Sequence, residues 1–257
     1  MRDFIEVLQE DAARDPEQRA RDLSRRELPK RFYKEAAHVG VDGGYAIHLD
    51  GRPVKTPGKA TLLLPSVTLG AAVAAEWEAQ EKEINPAVMP LTRLANSAQD
   101  AVSVRFAEVA DEVTRFAGND ALCYRADDPE SLVETQHRLW DPVVDWAGSL
   151  LGGRFVLIEG LIHAPQPDAL LTAYRQRIDT RSPLSLAALH TVTSLTGSAL
   201  LALALAEGHL DPDSVWSAAH VEEDFNIERW GEDAEATRLR AYKRTEFDAA
   251  VLILREG

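Results

Sequence analysis

The sequence predicts an α+β protein, with a small antiparallel sheet and helices in the N-terminal part and an orthogonal all-helical bundle in the C-terminal part. Strand-type residues alternate with Gly and Pro turns between residues 31 and 64. From Pro129 onward the apolar residues recur almost throughout at helical spacing. Segment 200–205 is apolar on every side, which is typical of a helix at the centre of a bundle.

Two domains are predicted from this change in pattern. The N-terminal α+β domain covers residues 1–110, and the C-terminal helical bundle covers residues 111–257. An arm of about residues 1–28 begins the first domain, with acids and arginines alternating around sparse apolar positions. Such charge patterning is typical of a short amphipathic helix that contacts solvent along most of its length.

The sheet is defined by its turns. Asp50-Gly51 is a strong hairpin sequence, residues 40–44 are rich in glycine, and residues 56–59 form another turn. Pro53 and Pro57 fit at sheet edges, where a missing backbone donor does no harm. The predicted strands are 31–36, 45–49, 52–55 and 60–64.

Helices follow the sheet. Ser66 is expected to cap a helix through 71–78, and Thr92 to cap another through 94–97, because hydroxyl side chains accept from the first free amides of a helix. Segment 120–125 is short and apolar, and is expected to return to the sheet. The remaining helices are predicted over 105–116, 130–151, 167–178, 184–190, 191–206, 212–230 and 235–254, with a strand-like segment at 155–158.

The helix predicted over 212–230 carries the most informative pattern. Its apolar positions, Trp230 among them, spread over one broad side, and Asp224 and Glu228 project from the opposite side. Glu222, Glu223 and Asn226 instead fall among the apolar positions. Because an unpaired buried charge is costly, carboxylates there must find partners, change protonation or contact another molecule.

Two other interpretations of these acids stay open. They could form structural ion pairs with arginines of neighbouring helices, the candidates being Arg175, Arg177, Arg229 and Arg240. Alternatively, His220 with Glu222 and Glu223 could form the acid/base or metal centre of a hydrolase-type enzyme. No second histidine lies one helical turn from His220, and no phosphate loop, dinucleotide fingerprint or serine elbow is present. We therefore expect no catalytic residues, no metal and no cofactor.

The composition and net charge of the chain limit the kinds of molecule that it can bind. The chain has 257 residues, 45% of them hydrophobic and 27% charged, and a formal net charge of −14. Such a charge repels nucleic acid and anionic membrane surfaces. The single cysteine, Cys123, excludes an internal disulfide and is expected to be buried and inert. The acidic N-terminus is unlike a signal or targeting peptide, so we expect a cytoplasmic protein.

An ordered set of short motifs resembles one known family over about residues 31–254. The motifs are Arg31-Phe32-Tyr33-Lys34, Asp50-Gly51-Arg52-Pro53-Val54-Lys55-Thr56-Pro57, Glu76-Trp77-Glu78-Ala79-Gln80, Met89-Pro90-Leu91-Thr92-Arg93, Cys123-Tyr124-Arg125, Trp140-Asp141-Pro142, Glu222-Glu223-Asp224-Phe225 and Trp230-Gly231. Together they resemble the alpha-subunit assembly chaperones of the ATP synthase F-one sector (Atp-twelve type), specifically their alphaproteobacterial members.

The resemblance implies a chaperone that is not an enzyme and needs no nucleotide. It would bind the unassembled alpha subunit of the catalytic head on the surface that a beta subunit later covers, and so prevent aggregation. The family's sensitive acidic cluster maps onto Glu222, Glu223 and Asp224, and its helical tryptophan maps onto Trp77. We expect a monomer with these four residues as its partner-binding site. The resemblance implies the bacterial cytoplasm, or the mitochondrial matrix if the chain is a processed eukaryotic one.

Overall fold

The computed structural model describes residues 28–159 and 164–257, and it confirms the mixed α+β class. A small antiparallel sheet lies near the N-terminus, and the C-terminal part is helical. The predicted helical arm at residues 1–28 lies almost wholly outside the described residues.

The sheet contains four strands, β1 (Ala36–Val41), β2 (Gly44–Leu49), β3 (Arg52–Pro53) and β4 (Leu63–Leu64). Strand β2 is central: it pairs antiparallel with β1, β3 and β4. The predicted hairpin turn is confirmed, with Asp50 at φ 48° and Gly51 at φ 78°. Positive φ at both central residues is what a tight hairpin of this twist requires.

The first strand begins later than predicted. We expected a strand over 31–36, but β1 starts at Ala36. The backbone amides of Lys34 and Glu35 each donate to Oδ1 of Asp50 over 3.0 Å. Because these amides bind a turn carboxylate, they are not available to a strand ladder. The same hydrogen bonds lower the pKa of Asp50.

Ten α-helices are found in the described ranges. They are α1 (Val67–Glu78), α2 (Pro90–Ser97), α3 (Phe106–Gly118), α4 (Glu130–Leu151), α5 (Asp168–Ile178), α6 (Pro183–Thr196), α7 (Ala199–Ala206), α8 (Pro212–Ala219), α9 (Val221–Trp230) and α10 (Ala234–Glu256). Short turns of 3₁₀-helix cover Pro86–Val88 and Ala121–Cys123, and a π-helical turn covers Ala98–Val102. None of the helices in the described ranges combines the length and apolar character of a membrane span.

The two predicted helix caps have different outcomes. Ser66 caps α1 as expected, because its side chain accepts from the amide of Leu69. Thr92 is not a cap: α2 begins at Pro90, two residues earlier. The carboxylate of Glu76, on α1, accepts from the amide of Leu91 over 2.7 Å and from the amide of Thr92 over 2.8 Å. A side chain distant in sequence therefore caps α2, and the Thr92 hydroxyl also donates to it.

The central apolar helix is confirmed with corrected bounds. We expected helices over 184–190 and 191–206, whereas the break between α6 and α7 falls at Gly197, with φ 68°, and Ser198. A glycine in the left-handed region ends α6, and the side chain of Ser198 caps α7. The core helix α7 is buried from its first residue through Leu205.

Segment 120–125 does not return to the N-terminal sheet, which corrects the prediction. After one turn of 3₁₀-helix it forms β5 (Tyr124–Arg125), which pairs in parallel with β6 (Ile158–Glu159). Cys123 is fully buried, as expected, and burial raises the pKa of its thiol to about 12. A thiol with that pKa is hardly ionised at neutral pH.

Contacts divide the chain into two compact units. The first contains residues 28–105 with Leu239–Gly257, and the second is Phe106–Arg238. Within the first unit, Arg93 pairs with Glu246, and Ser66 Oγ donates to Glu256 over 3.2 Å. The contacts thus assign the end of α10 to the N-terminal unit. The division into domains 1–110 and 111–257 stays a prediction, because contacts alone do not test which part folds by itself.

Candidate functional site

The acidic segment lies on a separate short helix, α9. A single helix over 212–230 was expected, but His220 adopts φ −114° and ψ 20° and separates α8 from α9. Its Nδ1 lies 2.7 Å from the carbonyl oxygen of Trp216, and its ring lies 4.1 Å from the Trp216 ring. The His220 amide bonds to Ser217 O over 3.3 Å, which tightens the last turn of α8. In a continuous helix the His220 amide would bind the Trp216 carbonyl. Because the imidazole binds this carbonyl instead, the helix is interrupted at His220.

The interruption changes which acids contact solvent. Glu222 and Asn226, expected among buried apolar residues, are exposed, whereas Asp224, expected on the wet side, is half-buried. Glu223 is also half-buried, and Glu228 is exposed as predicted. The buried side of α9 does not continue that of α8, since the break rotates the helical phase between them. The structure therefore places the three predicted acids on the first turn of α9, with Glu222 the most accessible.

The carboxylate of Glu222 is held by a buried amide. Gln136 Nε2, on α4, donates to Glu222 Oε1 over 3.1 Å. The Gln136 side chain is itself buried, and its Oε1 accepts from the amide of Ala126 over 2.9 Å. This second bond fixes which end of the amide is the donor toward Glu222. The exposed carboxylate is thus oriented before any partner arrives.

His220 is positioned as a structural residue. It is 5% exposed, and its Nε2 lies 3.9 Å from Glu223 Oε2. With Nδ1 against the Trp216 carbonyl and one face on the Trp216 ring, the imidazole presents little surface to a substrate. In residues 28–159 and 164–257, no three His, Cys, Asp or Glu side chains are arranged to hold a metal ion. The geometry gives no support to an acid/base centre at His220.

Three of the four arginines proposed as partners for the acids bind elsewhere. Arg175 bonds Asp111 Oδ1 over 3.0 Å and also pairs with Asp179. Arg177 lies 3.3 Å from Glu207, and the guanidinium of Arg229 lies 4.3 Å from the centre of the Phe225 ring. The fourth, Arg240, belongs to the first unit. These contacts favour a role for the α9 acids beyond structural ion pairing with Arg175 or Arg177.

Trp77, the fourth predicted site residue, lies on α1 in the first unit and lines a cleft of about 510 Å³. Its ring meets that of Tyr33 edge-on at 5.8 Å, and the Tyr33 hydroxyl donates to the Trp77 carbonyl over 2.6 Å. Phe32, which is largely exposed, lies at the same cleft. The residues lining the cleft are Phe32, Tyr33, Leu49, Asp50, Arg52, Pro53, Val54, Lys55 and Trp77.

Two residues of this region are not identified by the sequence pattern. Gln136 has no distinguishing motif, because its importance depends on the partners that α4 brings to it. Trp230 counts as apolar and was placed on the buried side of the predicted helix, yet its side chain is 83% exposed. The one sequence feature that could have indicated exposure is that Trp230 directly precedes Gly231, which ends the helix.

Comparison with known proteins identifies the family. The sequence profile described as ATP12 chaperone protein matches residues 30–148. The crystal structure of Atp12 from Paracoccus denitrificans is 37% identical, with a TM-score of 0.81, over 88% of this chain and 97% of that one. The chain belongs to the ATP12 chaperone family.

Two further relatives agree with the ATP12 assignment. The Atu1473 protein of Agrobacterium tumefaciens, described as a candidate chaperone, is 45% identical over the whole of this chain and 97% of that one, with a TM-score of 0.85. The mitochondrial protein atp12 of Schizosaccharomyces pombe is 23% identical over 244 residues, which cover 87% of this chain and 81% of that protein. The ATP12 family is one of chaperones, which agrees with a protein that is not an enzyme.

Proposed function

We propose that this ATP12-family chaperone binds the unassembled alpha subunit of the ATP synthase catalytic head without nucleotide. It would shield the surface later covered by the beta subunit and release the alpha subunit when the beta subunit arrives. Membership of the ATP12 family supports the chaperone class, and the exposed, oriented carboxylate of Glu222 supports the binding surface.

The observation that carries this proposal is the orientation of Glu222 on the first turn of α9. A carboxylate held by a buried donor loses little conformational freedom on binding, so its charge acts on the partner at low entropic cost. Glu223 and Asp224 lie on the same turn and add to the local negative field. Complementary charge speeds encounter and selects the partner without making the complex permanent, as assembly requires.

Trp77 is proposed as a second contact, through the cleft that it lines in the first unit. Its Nε1 is buried and has no hydrogen-bond partner among the described residues. Aromatic side chains beside a cleft are typical anchors for a protein partner. The Tyr33 contacts also give Trp77 a packing role, so binding and folding must be measured separately at this residue.

The compartment and oligomeric state are part of the proposal. The solved relatives come from Paracoccus denitrificans and Agrobacterium tumefaciens, both bacteria, which supports the bacterial cytoplasm for this chain. We propose a monomer that forms an equimolar complex with its client. Its net charge of −14 opposes self-association at neutral pH and low salt.

The test is light scattering of alpha subunit diluted from denaturant, with and without an equimolar amount of this protein and without nucleotide. We expect suppressed scattering, and release of soluble alpha subunit when beta subunit is added. An unrelated acidic protein of similar size serves as the control for a nonspecific charge effect. Scattering that stays as high as in the control would refute the proposed function.

A further inference from the structure

An exposed tryptophan lies at the C-terminal end of the acidic helix. Trp230 is 83% exposed, although tryptophan is among the side chains that gain most from burial. Gly231 follows at φ 85° and ends the helix, so the indole lies at the last residue of α9 with no following helical turn beside it. Tryptophan is one of the residues most enriched at the energetic centres of protein interfaces, so an exposed indole beside the proposed binding acids is a suitable contact for the client.

Trp230 shares one exposed stripe with the proposed binding acid. Glu222, Asn226 and Trp230 are spaced four residues apart on α9, and all three are exposed. Residues at this spacing lie above one another on a helix surface, about 40° apart around its axis at each step. The stripe therefore begins with an oriented carboxylate, continues with an amide and ends with an indole.

The surroundings of the indole are strongly acidic. Besides Glu222, the exposed acids that directly follow the indole in sequence are Glu232, Asp233 and Glu235. Arg229 is the neighbouring cation, and its guanidinium is placed over the Phe225 ring. A second copy of this chain would present the same negative field and would be repelled. The complementary surface is an apolar recess bordered by Arg and Lys side chains.

We propose that Trp230 is the apolar anchor of the client interface, inserting into an apolar recess on the alpha subunit that basic side chains border. This inference rests on the proposed function and adds the residue that supplies most of the lifetime of the complex. Buried aromatic anchors at the centre of an interface dominate binding energy, whereas charges at its rim act mainly on the rate of association. Trp230 then sets the dissociation rate and Glu222 the association rate.

The experiment measures binding of freshly diluted alpha subunit to the immobilised full chain by biolayer interferometry. Trp230→Ala is expected to weaken the affinity by about 30-fold or more, mainly through faster dissociation. Trp230→Phe keeps an aromatic anchor and is expected to retain most of the affinity. Val104→Ala, at another apolar residue that is 79% exposed, is the matched control and is expected to bind as wild type does.

Each outcome is decisive. If wild type and Trp230→Ala bind the alpha subunit equally tightly, Trp230 is not the anchor, and the proposed function stays intact. If wild type does not bind the alpha subunit, the proposed function is refuted, and the anchor with it.

Sedimentation of the chain alone tests whether a second copy of the chain covers the indole instead. A wild-type dimer that Trp230→Ala dissociates would assign the indole to self-association and refute the proposal. Unchanged melting of Trp230→Ala verifies that the variant is folded, as expected for an exposed side chain.

Discussion

Gln136 Nε2 lies 3.1 Å from Glu222 Oε1, so a buried amide on α4 orients an exposed carboxylate on α9. The donor is fixed by its own bond to the Ala126 amide, and the carboxylate is held by a residue 86 positions earlier in the chain. This relationship ties the acidic turn of α9 to a buried residue of α4. Glu222→Gln, which keeps a side-chain oxygen as the acceptor, removes the charge without removing this hydrogen bond.

Charge reversal at Glu222 is expected to weaken client binding. Glu222→Lys should slow association with the alpha subunit by about tenfold at low salt, because an oriented negative charge at the rim is replaced by a positive one. Glu222→Gln, which can still accept from Gln136, should have a smaller effect. The measurement is the association rate at low salt and at about 0.5 M salt, where screening should reduce the difference.

Glu228→Lys is the matched control for this prediction. Glu228 is exposed on the same helix, and its reversal changes the net charge by the same amount. It lies about 120° around the helix from Glu222, on the basis of 100° per residue. Equal slowing by both reversals would show that net charge alone is responsible and would contradict a localised site at Glu222.

The capping carboxylate of Glu76 is expected to contribute to stability. Glu76→Ala removes the acceptor of the Leu91 and Thr92 amides at the start of α2. Loss of a helix cap lowers the free energy of unfolding by about 1–2 kcal/mol. Because Glu76→Ala leaves two half-buried amides without acceptors, we expect a loss near the upper end of this range. Urea denaturation measures the free energy of unfolding. Glu81→Ala, at an exposed residue just beyond α1, should change it by less than about 0.5 kcal/mol.

Trp77 is expected to affect folding and binding together. Trp77→Ala should lower the free energy of unfolding by about 3 kcal/mol, because it removes the ring packed on Tyr33 at the wall of the cleft. Trp77→Phe should retain most of that stability. Client affinity is then measured at a temperature where each variant is folded. A Trp77→Ala variant that binds the alpha subunit with normal affinity while folded would restrict Trp77 to packing and remove it from the binding site.

The buried carboxyl of Asp120 is expected to make stability depend on pH. Burial raises its pKa to about 6, from about 3.8 in the unfolded chain, although the Leu122 and Leu200 amides donate to it. Between these values the folded state binds more protons than the unfolded state, so this contribution to stability falls as pH rises. The free energy of unfolding of wild type minus that of Asp120→Asn should therefore decrease from about pH 4 to about pH 6.

Chemical denaturation at constant ionic strength, at several pH values in this window, gives that difference directly. Taking a difference cancels the titration of the other carboxylates, which both proteins share. A difference that stays constant across the window, or increases with pH, would contradict the raised pKa of Asp120.

The sequence by itself determined the fold class, the family and most elements. Alternating strand residues around Asp50-Gly51 predicted the hairpin, and an apolar run predicted the buried helix α7, because these patterns depend on local geometry and on burial alone. The ordered motifs identify the family without any information about tertiary contacts. Glu222 and Glu223 were recognised as unusual from their spacing, which required no knowledge of neighbouring helices. Asp224 was predicted on the solvent side and joined them only through the family resemblance.

Only the tertiary structure decided which of those side chains faces solvent. The His220 imidazole interrupts the predicted helix at the Trp216 carbonyl, and this break turns Glu222 outward. The capping of α2 by Glu76 instead of Thr92 and the orientation of Glu222 by Gln136 both join residues far apart in sequence. Periodicity along one chain segment cannot encode such contacts, because the hydrogen-bond partner is supplied by another segment that the fold brings near.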